Sequence, residues 1–282
     1  NSGRSKSYIE DHESAFKRYF DDYELIFVDN PKDLISISKS LAIVSDFVIA
    51  CGGDGTVQSV VRGIYNSKAI LGVIPLGSGN DFVKSLGIKT KQPLSYYLEI
   101  IAAQQTIEID VPTINDYIFI NTAGLGFDGL TSFYASLSRR VKGKLKYLMA
   151  GLRAFKTAQK YAIRITHDGI SSALEVWLIA IANGTTEGGA YKISPSSNNT
   201  DGTLELVIVP AYNRIKLIFA FLKLSLGLSL GTSYSTVIPF KSAEIEFEKP
   251  HKIHLDGESA TAFNRYSIEI LPKGLRVISN LD

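Results

Sequence analysis

Two short glycine-rich segments carry the residue types best suited to chemistry. The first, Cys51-Gly52-Gly53-Asp54-Gly55-Thr56, follows an apolar run and opens a helical pattern. At the start of a helix the unpaired amides and the dipole attract phosphate, and glycine lets the backbone approach it closely. Asp54 is placed to engage a hydrated magnesium ion, and Thr56 to donate to a phosphate oxygen. The plainer reading is a tight strand-to-helix turn. The second segment, Pro75-Leu76-Gly77-Ser78-Gly79-Asn80-Asp81-Phe82, also follows a buried-strand pattern, so both loops are expected at one carboxyl edge of a sheet. There Ser78 and nearby amides would bind nucleotide while Asn80 and Asp81 hold acceptor or metal; otherwise Asn80-Asp81 caps the next helix.

Three later segments place acids beside glycines: Gly124-Leu125-Gly126-Phe127-Asp128, Asp201-Gly202-Thr203-Leu204 and Asp256-Gly257-Glu258. Asp-Gly between apolar runs is also a strong hairpin signal. Asp168-Gly169, between two strand patterns, is the internal control and reads as a plain turn. His12, His167, His251 and His254 show no metal-ligand spacing and receive no catalytic role.

The elements that must position these residues change character along the chain. Helical patterns at Ser7 to Tyr19, Pro31 to Ile43, Val57 to Tyr65 and Leu94 to Ala103 alternate with strand patterns at Glu24 to Val28, Asp46 to Cys51 and Ala69 to Pro75. That alternation predicts a parallel sheet. From about Thr106 strands dominate: Ile107 to Val111, Tyr117 to Asn121, Tyr161 to Thr166, Leu174 to Ala182, Leu204 to Pro210, Ser242 to Phe247, Lys252 to Leu255, Tyr266 to Leu271 and Leu275 to Ser279. Helices are expected at Gly143 to Gln159 and Arg214 to Leu226, and a domain boundary near residue 110.

With 282 residues, 45% hydrophobic and 21% charged, the chain is a globular protein of one large or two ordinary domains, not a disordered or fibrous one. A net charge of +2 excludes a dedicated nucleic-acid binder. The single cysteine, Cys51, excludes an internal disulfide and suits a reducing cytosol. Nothing reads as a signal peptide. Ile215 to Leu230, interrupted by Lys223 and Gly227, falls short of the roughly 20 apolar residues a span needs, so it is expected to pack on the sandwich. The densest basic run, Arg139 to Lys146, suits an anionic headgroup or a solvated helix start.

Taken together, the five ordered motifs resemble the bacterial diacylglycerol-kinase-type, YegS-like lipid kinases, whose relatives include sphingosine and ceramide kinases, and the resemblance runs over essentially the whole chain. It implies an α/β nucleotide-binding domain like that of NAD kinases and phosphofructokinases over 1–110. A mostly antiparallel β-sandwich over 111–282 would follow, its last segment packing back on the first domain, with ATP and lipid meeting between the two. It implies that Gly52, Gly53, Asp54, Gly55, Thr56, Val57 and Ser78 bind ATP, that Asp54 contacts magnesium and triphosphate, and that Glu258 is the base for the acceptor hydroxyl. Asn80, Asp81, Asp128 and Asp256 would line the substrate side. A second, structural Mg2+ would sit on the Asp201 side chain and the main-chain carbonyls of Asn198 and Thr203. The implied activity is ATP- and Mg2+-dependent phosphorylation of diacylglycerol or a similar lipid alcohol by a cytoplasmic enzyme peripheral at the inner membrane face, with no nucleic-acid partner and a homodimer as the assembly.

Relatives of this type open with an apolar strand and Asn-Pro-x-Ser-Gly, whereas here only Asn1-Ser2-Gly3 corresponds. Ser2 and Gly3 carry over as ATP contacts, and the working enzyme is expected to include the preceding strand. Two other functions remain open on the same fold. An NAD kinase shares Gly-Gly-Asp-Gly-Thr but lacks the Pro75 to Phe82 pattern and the Asp-Gly-Glu ending. A catalytically silent nucleotide or lipid sensor would bind without turnover.

Overall fold

The computed structural model describes residues 2–138, 143–187 and 191–281. The chain divides into two compact units, Asn1–Ile109 with Lys273–Asp282, and Asp110–Pro272.

The first unit begins with α1 (Ser2–Asp11) and α2 (Glu13–Phe16) where the sequence suggests one helix. The His12 ring occupies the Tyr8 carbonyl, and the His12 amide turns to Ile9 instead, so the helical ladder breaks there. No strand forms at 24–28. A strand needs a neighbour to satisfy its backbone, and Ile26 and Phe27 stay exposed. A 3-10 turn (Pro31–Asp33) leads into α3 (Leu34–Val44), then β1 (Phe47–Gly52), α4 (Asp54–Ile64), β2 (Ile70–Pro75), α5 (Asp81–Ser85), α6 (Leu94–Ala103) and β3 (Thr106–Ile114), which runs on into the second unit.

β1 and β2 pair in parallel from Phe47↔Ile70 to Gly52↔Pro75. Their ends therefore lie side by side, and both glycine loops leave the same carboxyl edge. Every residue of β2 is buried, as a strand covered on both faces requires. On α4 the buried residues Val57, Val60, Val61 and Ile64 face the core. Gly63 lets α3 approach, since a Cβ there would sit 2.7 Å from the Ile35 carbonyl oxygen.

The second unit contains β4 (Tyr117–Ile118), β5 (Thr122–Gly126), α7 (Phe127–Ser136), α8 (Gly143–Thr157), β6 (Tyr161–His167), β7 (Ile170–Ala182), β8 (Leu204–Pro210), α9 (Arg214–Ser225), β9 (Thr236–Phe240), β10 (Ser242–Leu255) and β11 (Glu258–Ile278). From Lys273 onward β11 belongs to the first unit, where it runs parallel to β2 at Arg276↔Ile70. The remaining pairings β10-β5-β7-β8-β9 are antiparallel, and β6 bridges β10 and β7. Strand alternation sends Leu206 and Ile208 into one core with Phe119, Leu125 and Ile245, and Val207 and Val209 into another with Trp177 and the inner faces of α8 and α9. An α/β unit followed by an antiparallel β unit is the fold class expected from the patterns.

Two pairs of expected strands are single strands. β10 passes Pro250 with a register shift between Glu246 and His251, and β11 passes Pro272. Proline reads as a break because it cannot donate to a ladder, yet an irregular stretch tolerates it.

Candidate functional site

In the first unit the two glycine loops are clasped together. Leu76 donates its amide to Gly52 at 2.8 Å. A Cβ on Gly77 would lie 2.5 Å from the Gly53 Cα, so only glycine permits this backbone contact. Asp54, at the first turn of α4, accepts from the Asn80 amide through one oxygen and from the Asp81 amide through the other, both at 2.8 Å. Burial raises its carboxyl above the ordinary value, against those two amides, which favour the charged form. Asp54 is thus first a clamp on the second loop, and any magnesium contact falls to its remaining lone pairs.

The expected contacts sort unequally. Gly52 and Gly53 make the turn out of β1 and Gly55 and Thr56 the first turn of α4, with the Thr56 side chain lying over Gly52. Val57 has its side chain buried in the core and its amide on the Gly53 carbonyl, because it completes the first turn of α4. Ser78 stands exposed at the tip of the second loop. Asn80 and Asp81 are buried and serve the loop itself. Asp81 pairs with Lys84 at 2.8 Å, and Asn80, in the left-handed region at φ 52°, donates to the Gly77 carbonyl and makes no side-chain cap. The Asn80 Oδ1 is buried with no protein partner among the described residues, an acceptor suited to a ligand's hydroxyl, amine or water. The glycine-lined first turn of α4 is the part that fits a nucleotide phosphate, while the Asn80 Oδ1 acceptor fits a donor such as a nucleotide hydroxyl or amine, or a water. Ser2 and Gly3 fall in α1, and their side chains lie outside the described residues, as do Arg139 to Lys142. Cys51 offers no nucleophile, since burial pushes its thiol up to about 12.

In the second unit Asp256-Gly257 forms the two-residue turn between β10 and β11, with φ of 52° and 84°. The Asp256 carboxylate accepts three amides, Ile120 at 3.0 Å, Asn121 at 2.7 Å and Thr122 at 3.0 Å, and so ties the hairpin to the start of β5. Burial raises this carboxyl above its ordinary value, opposed by the three amides and by His254. Gly257 is held at both ends: its amide donates to His254 Nδ1 at 3.2 Å and its carbonyl accepts from Ser132 Oγ at 2.8 Å. Glu258 follows directly and is exposed.

His254, fully buried, is the hub that the spacing of the histidines conceals. Its Nε2 lies 3.1 Å from Asp128 Oδ2 and 2.9 Å from Glu187 Oε1. Gly124 on β5 makes the room, since a Cβ there would lie 2.1 Å from Asp128 Oδ2 and 2.2 Å from His254 Nε2. Burial pulls the imidazole down, but the flanking carboxylates of Glu187 and Asp128 outweigh it and hold His254 well above the usual histidine range. Asp128, Glu187 and His254 have metal-ligand atoms within 4.8 Å of one another. A metal is nevertheless a poor fit. The Gly257 amide can donate to Nδ1 only in the neutral ring, whose proton then sits on Nε2; protonation gives up that bond and keeps the Nε2 proton, so in either state Nε2 donates to the carboxylates. His254 and Glu187 are the residues the sequence missed. The available signal was a histidine inside the apolar triplet Ile253-His254-Leu255, ahead of an acidic turn.

At 198–203 the structure shows two local turns. Asn198 Oδ1 accepts from Thr200, and Asp201 Oδ1 from the amide and hydroxyl of Thr203. Glu205, raised by burial and by Asp201, keeps a buried Oε2 without a partner among the described residues, which a cation beside Asp201 would satisfy. Among the described residues no helix is long and apolar enough to cross a membrane.

With this geometry in place, the comparisons are consistent. The family described as "Diacylglycerol kinase catalytic domain" matches residues 1–114, and "YegS C-terminal NAD kinase beta sandwich-like domain" matches residues 121–279. A diacylglycerol kinase from Bacillus subtilis is 28% identical over 76% of this chain and 71% of its own. A protein of Escherichia fergusonii named "probable lipid kinase YegS" is 31% identical over 81% of this chain and 76% of its own. The crystal structure of a diacylglycerol kinase from Bacillus anthracis, 24% identical, superposes with a TM-score of 0.73 over 94% of this chain and 87% of that one, a likeness of fold.

Proposed function

The chain belongs to the diacylglycerol kinase and YegS family of lipid kinases, and from that premise we propose that it transfers the γ-phosphoryl of MgATP to the hydroxyl of diacylglycerol or a similar lipid alcohol. The observation that carries this reading is the clasp in the first unit: Asp54 spends both oxygens on the amides of Asn80 and Asp81 and so fixes two glycine loops as one cradle. Bound MgATP would supply the phosphoryl group and the cation that offsets its charge. Gly52, Gly53, Gly55, Thr56 and Ser78 would hold the phosphates, with Asn80 Oδ1 as an acceptor at the rim. Positioning and fixed dipoles then do most of the catalytic work.

In the second unit Glu258 is exposed just beyond a turn whose backbone is pinned by His254 and Ser132. Its carboxylate would take the proton from the acceptor hydroxyl as that oxygen attacks, a role worth roughly 10²- to 10⁴-fold. Asp256, Asp128 and His254 act through it as positioning residues. Asn198, Asp201 and Thr203, with Glu205 beside them, would hold a structural magnesium. A peripheral location at the cytoplasmic face would suit an acceptor that resides in the membrane and a donor, ATP, supplied from the cytosol.

Transfer from radiolabelled ATP to a detergent-dispersed panel of lipid alcohols plus NAD tests the reading. Labelled lipid is expected. Labelled NAD, or nucleotide binding with no labelled product from any lipid alcohol, would contradict it and favour an NAD kinase or a silent sensor.

A further inference from the structure

α8 and α9 are apolar on two opposite faces. The inner faces are accounted for. Ala154 and Ala158 of the α8 segment and Leu217, Ala220, Phe221 and Leu224 of α9 are buried over the outer side of β7 and β8, against Trp177, Val207 and Val209, and Ala150 on the same α8 face is buried too. The two helices lock there: Gly151 lies under the Phe221 ring, the Phe155 and Phe221 rings are 5.4 Å apart, and Arg214 donates to the Phe155 and Ala158 carbonyls.

Among the described residues the outer faces have no such partner. On α8, Leu145, Met149 and Leu152 recur at helical spacing and are 57%, 53% and 54% exposed. On α9 and at its C-cap, Ile215, Phe219 and Leu226 are 67%, 58% and 77% exposed, with Ile218 and Leu222 between them. At 100° per residue each outer stripe lies about half a turn from its inner stripe. Because both inner stripes rest on one strand layer, both outer stripes point away from it on the same side. An expectation that the Ile215 to Leu230 segment packs on the sandwich therefore describes only half of the helix. Scattered exposed apolar residues need no explanation, but a contiguous two-helix patch does.

Charge selects the occupant. Lys146, Arg153 and Lys156 on α8 and Lys216 on α9 flank the stripes, Arg214 and Lys223 being engaged on main-chain carbonyls of the protein itself, and neither helix contains an acidic residue. The whole chain carries only +2, so the positive excess is gathered here. A second copy meeting this face across a two-fold axis would set these cations against their like. We propose that the outer faces of α8 and α9 form one surface that docks on an anionic lipid bilayer, the apolar stripes entering the interface and the cations engaging headgroups. This assignment rests on the reading that the acceptor is a membrane lipid, and it names the surface that brings the enzyme to it.

The test is sedimentation of the full chain with phosphatidylcholine vesicles containing or lacking phosphatidylserine, with no lipid alcohol in either. Binding to the anionic vesicles is expected, at least tenfold weaker in high salt and at least tenfold weaker in Leu152→Gln/Phe219→Gln. Lys156→Glu, which leaves the apolar stripe intact, should weaken it severalfold and keep the case decidable if the double variant unfolds. Absence of binding at low ionic strength, or variants that bind as the parent does, would overturn the assignment. So would a dimer that Phe219→Gln dissociates in a chain that ignores vesicles, or capture of an acidic peptide without vesicle binding. Phe219→Gln should leave transfer to a detergent-dispersed acceptor unchanged. Vesicle binding without any transfer would fault the kinase reading and leave the surface standing.

Discussion

Asp168-Gly169 joins β6 to β7, and Asp256-Gly257 joins β10 to β11, through the same two-residue turn. Their φ values are 43° and 83° in the first and 52° and 84° in the second. Both aspartates turn back to accept backbone amides. Asp168 accepts two, from Lys241 and Ser242 at 3.2 Å, at the exposed surface. Asp256 accepts three, at 2.7 to 3.0 Å, beneath a buried histidine. A Cβ on Gly169 would meet nothing within 4 Å, whereas one on Gly257 would lie 3.0 Å from the Tyr147 hydroxyl. Local sequence therefore sets the turn, and what packs around it decides whether the turn only reverses the chain or also holds a reactive group in place.

Truncating the two aspartates should separate the turns most. Asp256→Ala strands three amides, each costing on the order of 1 kcal/mol or more, so a loss of about 3 kcal/mol is expected in urea unfolding. Asp168→Ala, at the surface, should cost under about 1 kcal/mol. Equal losses would erase the distinction. Next is Gly124→Ala, whose Cβ collides with the Asp128 and His254 side chains; overpacking of this kind costs about 2 kcal/mol and should lower the melting temperature and the transfer rate together. Gly169→Ala and Gly257→Ala should each cost about 1 kcal/mol, because both glycines share the same left-handed backbone and the space differs only at Tyr147.

The smallest effect is electrostatic. His254 is held above the ordinary histidine range by Glu187 and Asp128, so the folded state binds its proton more tightly than the unfolded state does. That stabilisation is complete below the ordinary histidine value and is lost as pH rises through the elevated folded one. The melting-temperature gap between the parent and His254→Gln should be widest at pH 6 and shrink steadily toward alkaline pH. A gap that widens with pH would mean that the ring is neutral in the fold.

The sequence disclosed what is local. Gly52 to Thr56 and Pro75 to Phe82 read as loops at one sheet edge because each follows a continuous apolar run, and the β1–β2 register places them there. Leu94 to Ala103 reads as the helix it is, since nothing competes with its pattern. Contacts made by distant residues were hidden. His254, Asp128 and Glu187 meet from β10, α7 and a loop, and no spacing links them. Glu24 to Val28 reads as a short strand because Leu25 to Val28 is a continuous apolar run, yet it forms no strand pairing. Asp54 read as a metal contact because its type and place suit one, while its clamp on Asn80 and Asp81 appears only when β1 and β2 lie side by side.

The central claim is that the buried turn holds Glu258 for proton removal, and single-turnover transfer from labelled ATP to a dispersed lipid alcohol tests it most directly. Glu258→Gln should bind nucleotide as the parent does and transfer roughly 10²- to 10⁴-fold more slowly, while Asp168→Asn, in the control turn, transfers at the parental rate. A Glu258→Gln enzyme with near-parental transfer would contradict the claim.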